Sequence, residues 1–194
     1  MAAFDRTLHH RKSLRYPGFD YSAQGYYFLT FATHNLEPLF GMIESGKIVL
    51  NEFGRIAEEE WLRNAEVRKN IGLDLHVIMP NHIHGIIVIE KKGDPARGKA
   101  SSCTGEPAGR PEIDPDRPFN ISELENIDSF SLKSGTIGAI LGQYKSIVSK
   151  RINALRRTPK KPVWHRNYFE HIIRDEEELK RIRKYIENNP LEWR

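Results

Sequence analysis

Apolar positions along the chain alternate between a period of two, the mark of half-buried strands, and a period near 3.6, the mark of amphipathic helices. Residues 24–34 (QGYYFLTFATH) are dense in aromatic and β-branched side chains and predict a strand. Residues 39–42 and 47–50 flank Glu44, Ser45 and Gly46, which predicts a hairpin whose glycine supplies positive φ. From residue 51 the period changes: Ile56, Trp61 and Leu62 fall near helical spacing among Glu and Arg, which predicts a helix to about residue 69. Residues 73–79 (LDLHVIM) and 82–90 (HIHGIIVIE) predict two strands paired antiparallel across a turn at Pro80 and Asn81.

The pattern breaks over residues 92 to about 135, where Gly, Pro, Ser and charge dominate, and a partly disordered insertion is expected there. It resumes at residues 136–157, where Ile137, Ile140, Leu141, Tyr144, Ile147 and Val148 recur at helical steps. Residues 163–174 (VWHRNYFEHIIR) predict a strand, and Asp175 opens a last helix to about Asn189, with Pro190 as its stop. The expected architecture is α+β, helices packed on an antiparallel sheet. No internal repeat suggests a solenoid.

Composition narrows the class. A chain of 194 residues suits one domain, and 39% hydrophobic with 29% charged residues is ordinary globular usage. No apolar run reaches membrane-spanning length and the N-terminal stretch does not read as a signal peptide, so a cytoplasmic protein is expected. The single cysteine, Cys103, excludes an internal disulfide and a Cys-rich zinc site. The net charge of +4 is modest, but residues 143–161 hold seven Lys or Arg and no Asp or Glu. Such a basic stripe is either a solvated helix face or a surface that neutralises phosphates.

Three features are candidates for chemistry. His82 and His84 are two apart in a predicted strand, so they share a face with backbones about 6 to 7 Å apart. Imidazoles so placed are either ordinary sheet residues or a pair able to share one ion. They begin an otherwise apolar strand, where polar side chains need a reason. On the last helix Leu179, Ile182 and Ile186 form the apolar face, with Tyr185 and Asn189 along one border of it. By themselves, Tyr185 reads as an amphipathic core residue and Asn189 as a helix cap before Pro190.

Taken together, these residues resemble the single-tyrosine HUH transposases, most closely the REP-associated tyrosine transposases. The resemblance covers RKSLRYPGFDY, YYFLTFATH, MPNHIHGIIV, ILGQYKSIVSKRIN and VWHRNYFEHIIRDEEELKRIRKYIENNP, but not the insertion. His82, Ile83 and His84 match the His-hydrophobic-His element. In YIENNP, Tyr185 and Asn189 occupy the places of the family's nucleophilic tyrosine and amide metal ligand. Related insertion-sequence transposases usually carry Gln there, and Asn resembles the REP-associated branch.

The resemblance implies a ferredoxin-like or RNA-recognition-like sheet with helices on it, spanning residues 1–194 as one domain. It implies a divalent cation, Mg2+ or Mn2+, on His82, His84 and Asn189. Imidazole and amide donors suit manganese by hardness, whereas abundance favours magnesium. It also implies a Tyr185 nucleophile that leaves a 5′-phosphotyrosine, and a substrate of single-stranded or hairpin DNA. Arg11, Lys12 and Arg15, with Lys145, Lys150, Arg151, Arg156 and Arg157, are the expected phosphate contacts, and Tyr26, Tyr27, Tyr168 and Phe169 are candidates to stack bases. For Phe169 a core role is expected instead. Insertion-sequence relatives are dimers and the REP-associated branch tends to be monomeric, so both states stay open. A domesticated, non-catalytic nucleic-acid-binding regulator and a hydrolase using bound water are the competing readings.

Overall fold

The computed structural model describes residues 20–90 and 135–193. Its elements run β1 (Gly25–Ala32), β2 (Gly41–Glu44), β3 (Lys47–Leu50), α1 (Glu52–Val67), β4 (Ile71–Ile78), β5 (His82–Ile89), α2 (Ile137–Leu155), β6 (Phe169–Ile173) and α3 (Glu176–Asn188). A sheet in the order β4-β5-β1-β6, antiparallel at every pairing, is the framework, and β2 and β3 form a separate hairpin. With β2–β3 set aside, the order β1, α1, β4, β5, α2, β6 on that sheet is the ferredoxin-like arrangement. The expected α+β class is therefore the observed one.

Each helix begins where a side chain can satisfy an otherwise unpaired backbone N–H. Asn51 accepts from Gly54 N at the start of α1, Thr136 from Ala139 N at the start of α2, and Asp175 from Glu178 N at the start of α3. Glu176, Glu177 and Glu178 in the first turn of α3 also favour its positive dipole end. In the β2–β3 turn, Ser45 and Gly46 both have positive φ, 50° and 74°, as a two-residue primed turn requires.

Alternation along the strands sorts the core into two layers. Tyr27, Leu29 and Phe31 of β1, with Ile83 and Ile87 of β5, pack beneath α1 and α2. Phe28, Ala32 and Ile86 face the other way and are covered by Leu179, Ile182 and Ile186 of α3. Gly85 of β5 allows the indole of Trp61 to lie on the sheet, since a Cβ there would sit 2.3 Å from Trp61 Cζ2.

The last strand is shorter than its composition suggests. Residues 163–168 do not join the sheet; Trp164 makes a single bridge to Thr33, and His165 N donates to Ala32 O before the chain turns into β6. Lys145 holds that turn, donating to the carbonyls of His165 and Asn167 at 3.1 and 3.0 Å. The insertion expected over residues 92–135 lies outside the described residues apart from Gly135. Among the described residues, no helix is long and apolar enough to cross a membrane.

Candidate active site

His82 and His84 occupy the first turn of the pleat in β5, on the face covered by α3. They lie opposite Ala32 and Thr30 of β1. Both are buried, His82 at 8% and His84 at 1% exposure. Their Nε2 atoms converge to 3.1 Å. Their Nδ1 atoms point away from each other, that of His82 to Asn81 Oδ1 and that of His84 to Thr30 Oγ1, each at 2.7 Å.

The end of α3 closes over the pair. The apolar row of Leu179, Ile182 and Ile186 fixes the helix against the sheet, which turns Tyr185 inward at one border. Its hydroxyl lies 3.4 Å from His84 Nε2. Phe28 packs against both partners, stacked on His84 with centroids 5.6 Å apart and edge-on to Tyr185 at 6.1 Å. One turn later Asn189 caps α3 and its side chain hydrogen-bonds His82. The four sequence-predicted residues His82, His84, Tyr185 and Asn189 thus converge, although the histidines lie on a strand about a hundred residues from the helix.

The electrostatics suit a metal ligand set. Burial pushes the His82 pKa down to about 4, partly offset by the hydrogen bond to Asn189. Burial, with His82 as neighbour, holds His84 well below the ordinary imidazole value. Both rings are therefore neutral near pH 7, the form that binds an ion. Asn81 Oδ1 can only accept, so His82 Nδ1 carries the proton and its Nε2 presents a lone pair. With imidazole–metal bonds of about 2.0–2.2 Å, two ligand nitrogens 3.1 Å apart can share one ion. Among the described residues no group of three His, Cys, Asp or Glu side chains could hold a metal; the polar group beside the histidine pair is the Asn189 amide, hydrogen-bonded to His82. These residues fit a divalent cation.

The basic stripe divides when its side chains are placed. Lys145 belongs to the interior: its ammonium caps two carbonyls and lies over the Phe31 and Tyr168 rings at 5.5 and 5.8 Å. Burial lowers its pKa to about 7. Arg151 is paired with Glu59 and Glu60, both at 2.7 Å, and so is already neutralised. Arg156 ties the end of α2 together through Asn153 Oδ1 and the Lys161 and Pro162 carbonyls. Lys150 and Arg157 are exposed, beside Ser149 and Lys160 in a shallow groove of about 730 Å³. That groove lies on α2, across the sheet from Tyr185. Arg11, Lys12 and Arg15 lie outside the described residues.

Two of the aromatic candidates are also placed inside. Tyr27 is fully buried with its hydroxyl on Ala23 O, which corrects the expectation that it stacks bases, and Phe169 is core as expected. Tyr26 and Tyr168 are partly buried against the two core layers. Besides Phe28, three residues at the site were not singled out in the sequence. Thr30 looked like any β-branched strand residue and Asn81 like any turn residue. Trp193, stacked on His82 with centroids 6.0 Å apart, lies past the last predicted element.

Comparisons with known proteins agree with this architecture. No family model matches the chain. An uncharacterized protein of Haemophilus influenzae is 33% identical over 190 residues, covering 98% of this chain and 93% of that protein. Among solved structures, a REP-associated tyrosine transposase bound to a REP hairpin is similar at a TM-score of 0.51 and 13% identity, over 91% of this chain and 73% of that one. At that identity the likeness is one of fold alone, an antiparallel four-stranded sheet with helices packed on it.

Proposed function

We propose that this chain, which belongs to the same family as the Haemophilus influenzae protein, is a metal-dependent single-strand DNA endonuclease and strand transferase. The observation that carries the reading is the position of the Tyr185 hydroxyl, 3.4 Å from His84 Nε2 at the mouth of a buried, neutral histidine pair. Simple nucleic-acid binding has no use for a phenol held against one imidazole of a buried histidine pair.

In this reading Tyr185 is the nucleophile. Its oxygen attacks the scissile phosphorus as the phenol gives up its proton, and the phosphorus–3′-oxygen bond breaks. The products are a 5′-phosphotyrosine and a free 3′-hydroxyl once the leaving oxygen takes a proton. A second 3′-hydroxyl reverses the step and joins DNA, and because one phosphodiester replaces another no ATP is needed. The chain's part is largely positioning: Phe28 and the apolar row of α3 fix the phenol beside the histidine pair. His82, His84 and Asn189 would hold Mg2+ or Mn2+, which supplies electrophilic stabilisation of charge on the phosphate.

The fold shared with a transposase that binds a REP hairpin supports a hairpin-bearing single strand as substrate. Lys150 and Arg157 offer phosphate contacts across the sheet from the site. The test is incubation with hairpin-bearing single strands and Mn2+ or Mg2+, followed by a denaturing gel. A metal-dependent covalent protein–DNA adduct is expected. Tight binding without any adduct would favour a non-catalytic regulator.

A further inference from the structure

Thr30 sits in the middle of β1, fully buried, directly across the sheet from His84, with its hydroxyl 2.7 Å from His84 Nδ1. The two histidines differ in what their outer nitrogens face. Asn81 Oδ1 accepts only, which fixes the proton of His82 on Nδ1. The Thr30 hydroxyl both donates and accepts, so it fixes nothing by itself.

That difference matters because the Nε2 atoms are 3.1 Å apart. Two bare lone pairs at that distance repel. In the metal-free protein the arrangement is satisfied when His84 carries its proton on Nε2 and donates it to His82 Nε2. Its Nδ1 is then bare and accepts from the Thr30 hydroxyl. A cation that takes both Nε2 lone pairs requires the other tautomer of His84: the proton leaves Nε2 to solvent, another enters at Nδ1, and the ring stays neutral. The new Nδ1–H, buried, then needs an acceptor, which Thr30 provides by turning its hydroxyl.

Building on the metal-binding reading above, we propose that Thr30 is a positioning residue whose rotating hydroxyl lets His84 exchange tautomers when the ion arrives. Asn81 holds His82 in the ligand form throughout. The histidine pair is thus one fixed ligand and one adjustable ligand, and Thr30 acts only through His84.

The test uses the full-length protein without DNA, measuring Mn2+ affinity by calorimetry and, with diamagnetic Mg2+, the histidine tautomers by 15N NMR. Thr30→Val keeps the shape and removes the acceptor, and is expected to weaken Mn2+ binding by about 10–100-fold. Thr30→Ser restores the hydroxyl and is expected to restore affinity. In the metal-free wild type the His84 proton is expected on Nε2, moving to Nδ1 with the ion. Equal Mn2+ affinity for wild type and Thr30→Val, or an Nδ1 proton already present without metal, would overturn the role of Thr30 alone. A wild type that binds no Mn2+ would overturn the metal site itself, and this inference with it.

Discussion

Arg183 of α3 grips Asp74 of β4 at two points, Nε to Oδ1 at 2.9 Å and a terminal nitrogen to Oδ2 at 2.5 Å. Asp74 lies where the β4–β5 register shifts, between Leu73 and His76, so the bulge turns its carboxylate toward the helix. Burial raises the Asp74 pKa, but the Arg183 and Leu75 hydrogen bonds outweigh it and leave the carboxyl below its ordinary value. The pair is partly solvated, at 37% and 16% side-chain exposure, which limits its stability contribution to about 1 kcal/mol or less. Its position matters more, two residues before Tyr185. Arg183→Ala is expected to change thermal stability little while slowing adduct formation by about tenfold or more, because a nucleophile displaced by a fraction of an ångström attacks poorly. Equal losses in both measurements would show that the pair only stabilises the fold.

Gly85 separates the histidine pair from the apolar part of β5, and its missing Cβ is filled by Trp61. The indole is fully buried among Phe31, Tyr144 and His76 and has nowhere to move. Gly85→Ala is therefore expected to cost about 1–3 kcal/mol or more, as overpacking does. Chemical denaturation reads this directly, and a wild-type midpoint would contradict the packing described.

Acid should loosen α3 at its start. Burial raises the Glu178 pKa, but hydrogen bonds from His171 and from Arg174 N, both 2.7 Å, bring it below the ordinary value. A carboxyl whose folded pKa is depressed adds stability that is complete above its unfolded pKa, about 4.3. That stability is lost as pH falls through the lower folded value. Glu178→Gln should destabilise at neutral pH and flatten the fall in stability below about pH 4. Thermal melts between pH 7 and pH 3 check both, and parallel curves for the two proteins would exclude Glu178 as the source.

The division within the basic stripe predicts different phenotypes for neighbouring residues. Lys150→Glu and Arg157→Glu should weaken DNA binding and reduce its salt dependence, with a slope change of about 0.7–0.9 per lost phosphate contact. Stability should stay near wild type. Arg156→Ala and Lys145→Met should instead lower stability, since they remove ties to carbonyls 161, 162, 165 and 167. A salt slope altered by Lys145→Met but untouched by Lys150→Glu would reverse this assignment.

That contrast also shows what can be read from the sequence. Strands β1 and β5 and helix α3 announce themselves by period, and the period places Tyr185 and Asn189 on a shared border. Lys145 could have been found the same way, because Leu141, Lys145, Val148 and Ile152 fall on one helical stripe whose apolar members are buried, and the half-buried amine beside them has to find carbonyl acceptors. Residues 163–168 mislead because Trp164 and Tyr168 have strand-like composition, while the turn that ends pairing depends on an amine from another helix. Thr30 and Asn81 are invisible for a different reason. Their importance comes from cross-strand register and from a turn facing a ring nitrogen, neither of which leaves a local pattern.

Two tyrosines on helices beside basic residues are candidates for the proposed nucleophile, and their hydroxyls touch different groups. Tyr144 is buried beneath Trp61 and Phe31 with its hydroxyl donating to Ala57 O at 2.9 Å, and burial raises its pKa well above the ordinary phenol value. A phenol so held is shielded from DNA and harder to ionise. Tyr185 is half-buried on the opposite face, its hydroxyl at the histidine pair. Tyr144→Phe leaves the Ala57 carbonyl without its donor, so a stability loss of about 1–3 kcal/mol is expected with the adduct retained. Tyr185→Phe removes one oxygen and little packing, so DNA binding and Mn2+ affinity should persist while the covalent adduct disappears. Peptide mapping of the wild-type adduct should place the 5′-phosphate on Tyr185. An adduct that survives Tyr185→Phe, or a label found on Tyr144 or Tyr168, would end this mechanism.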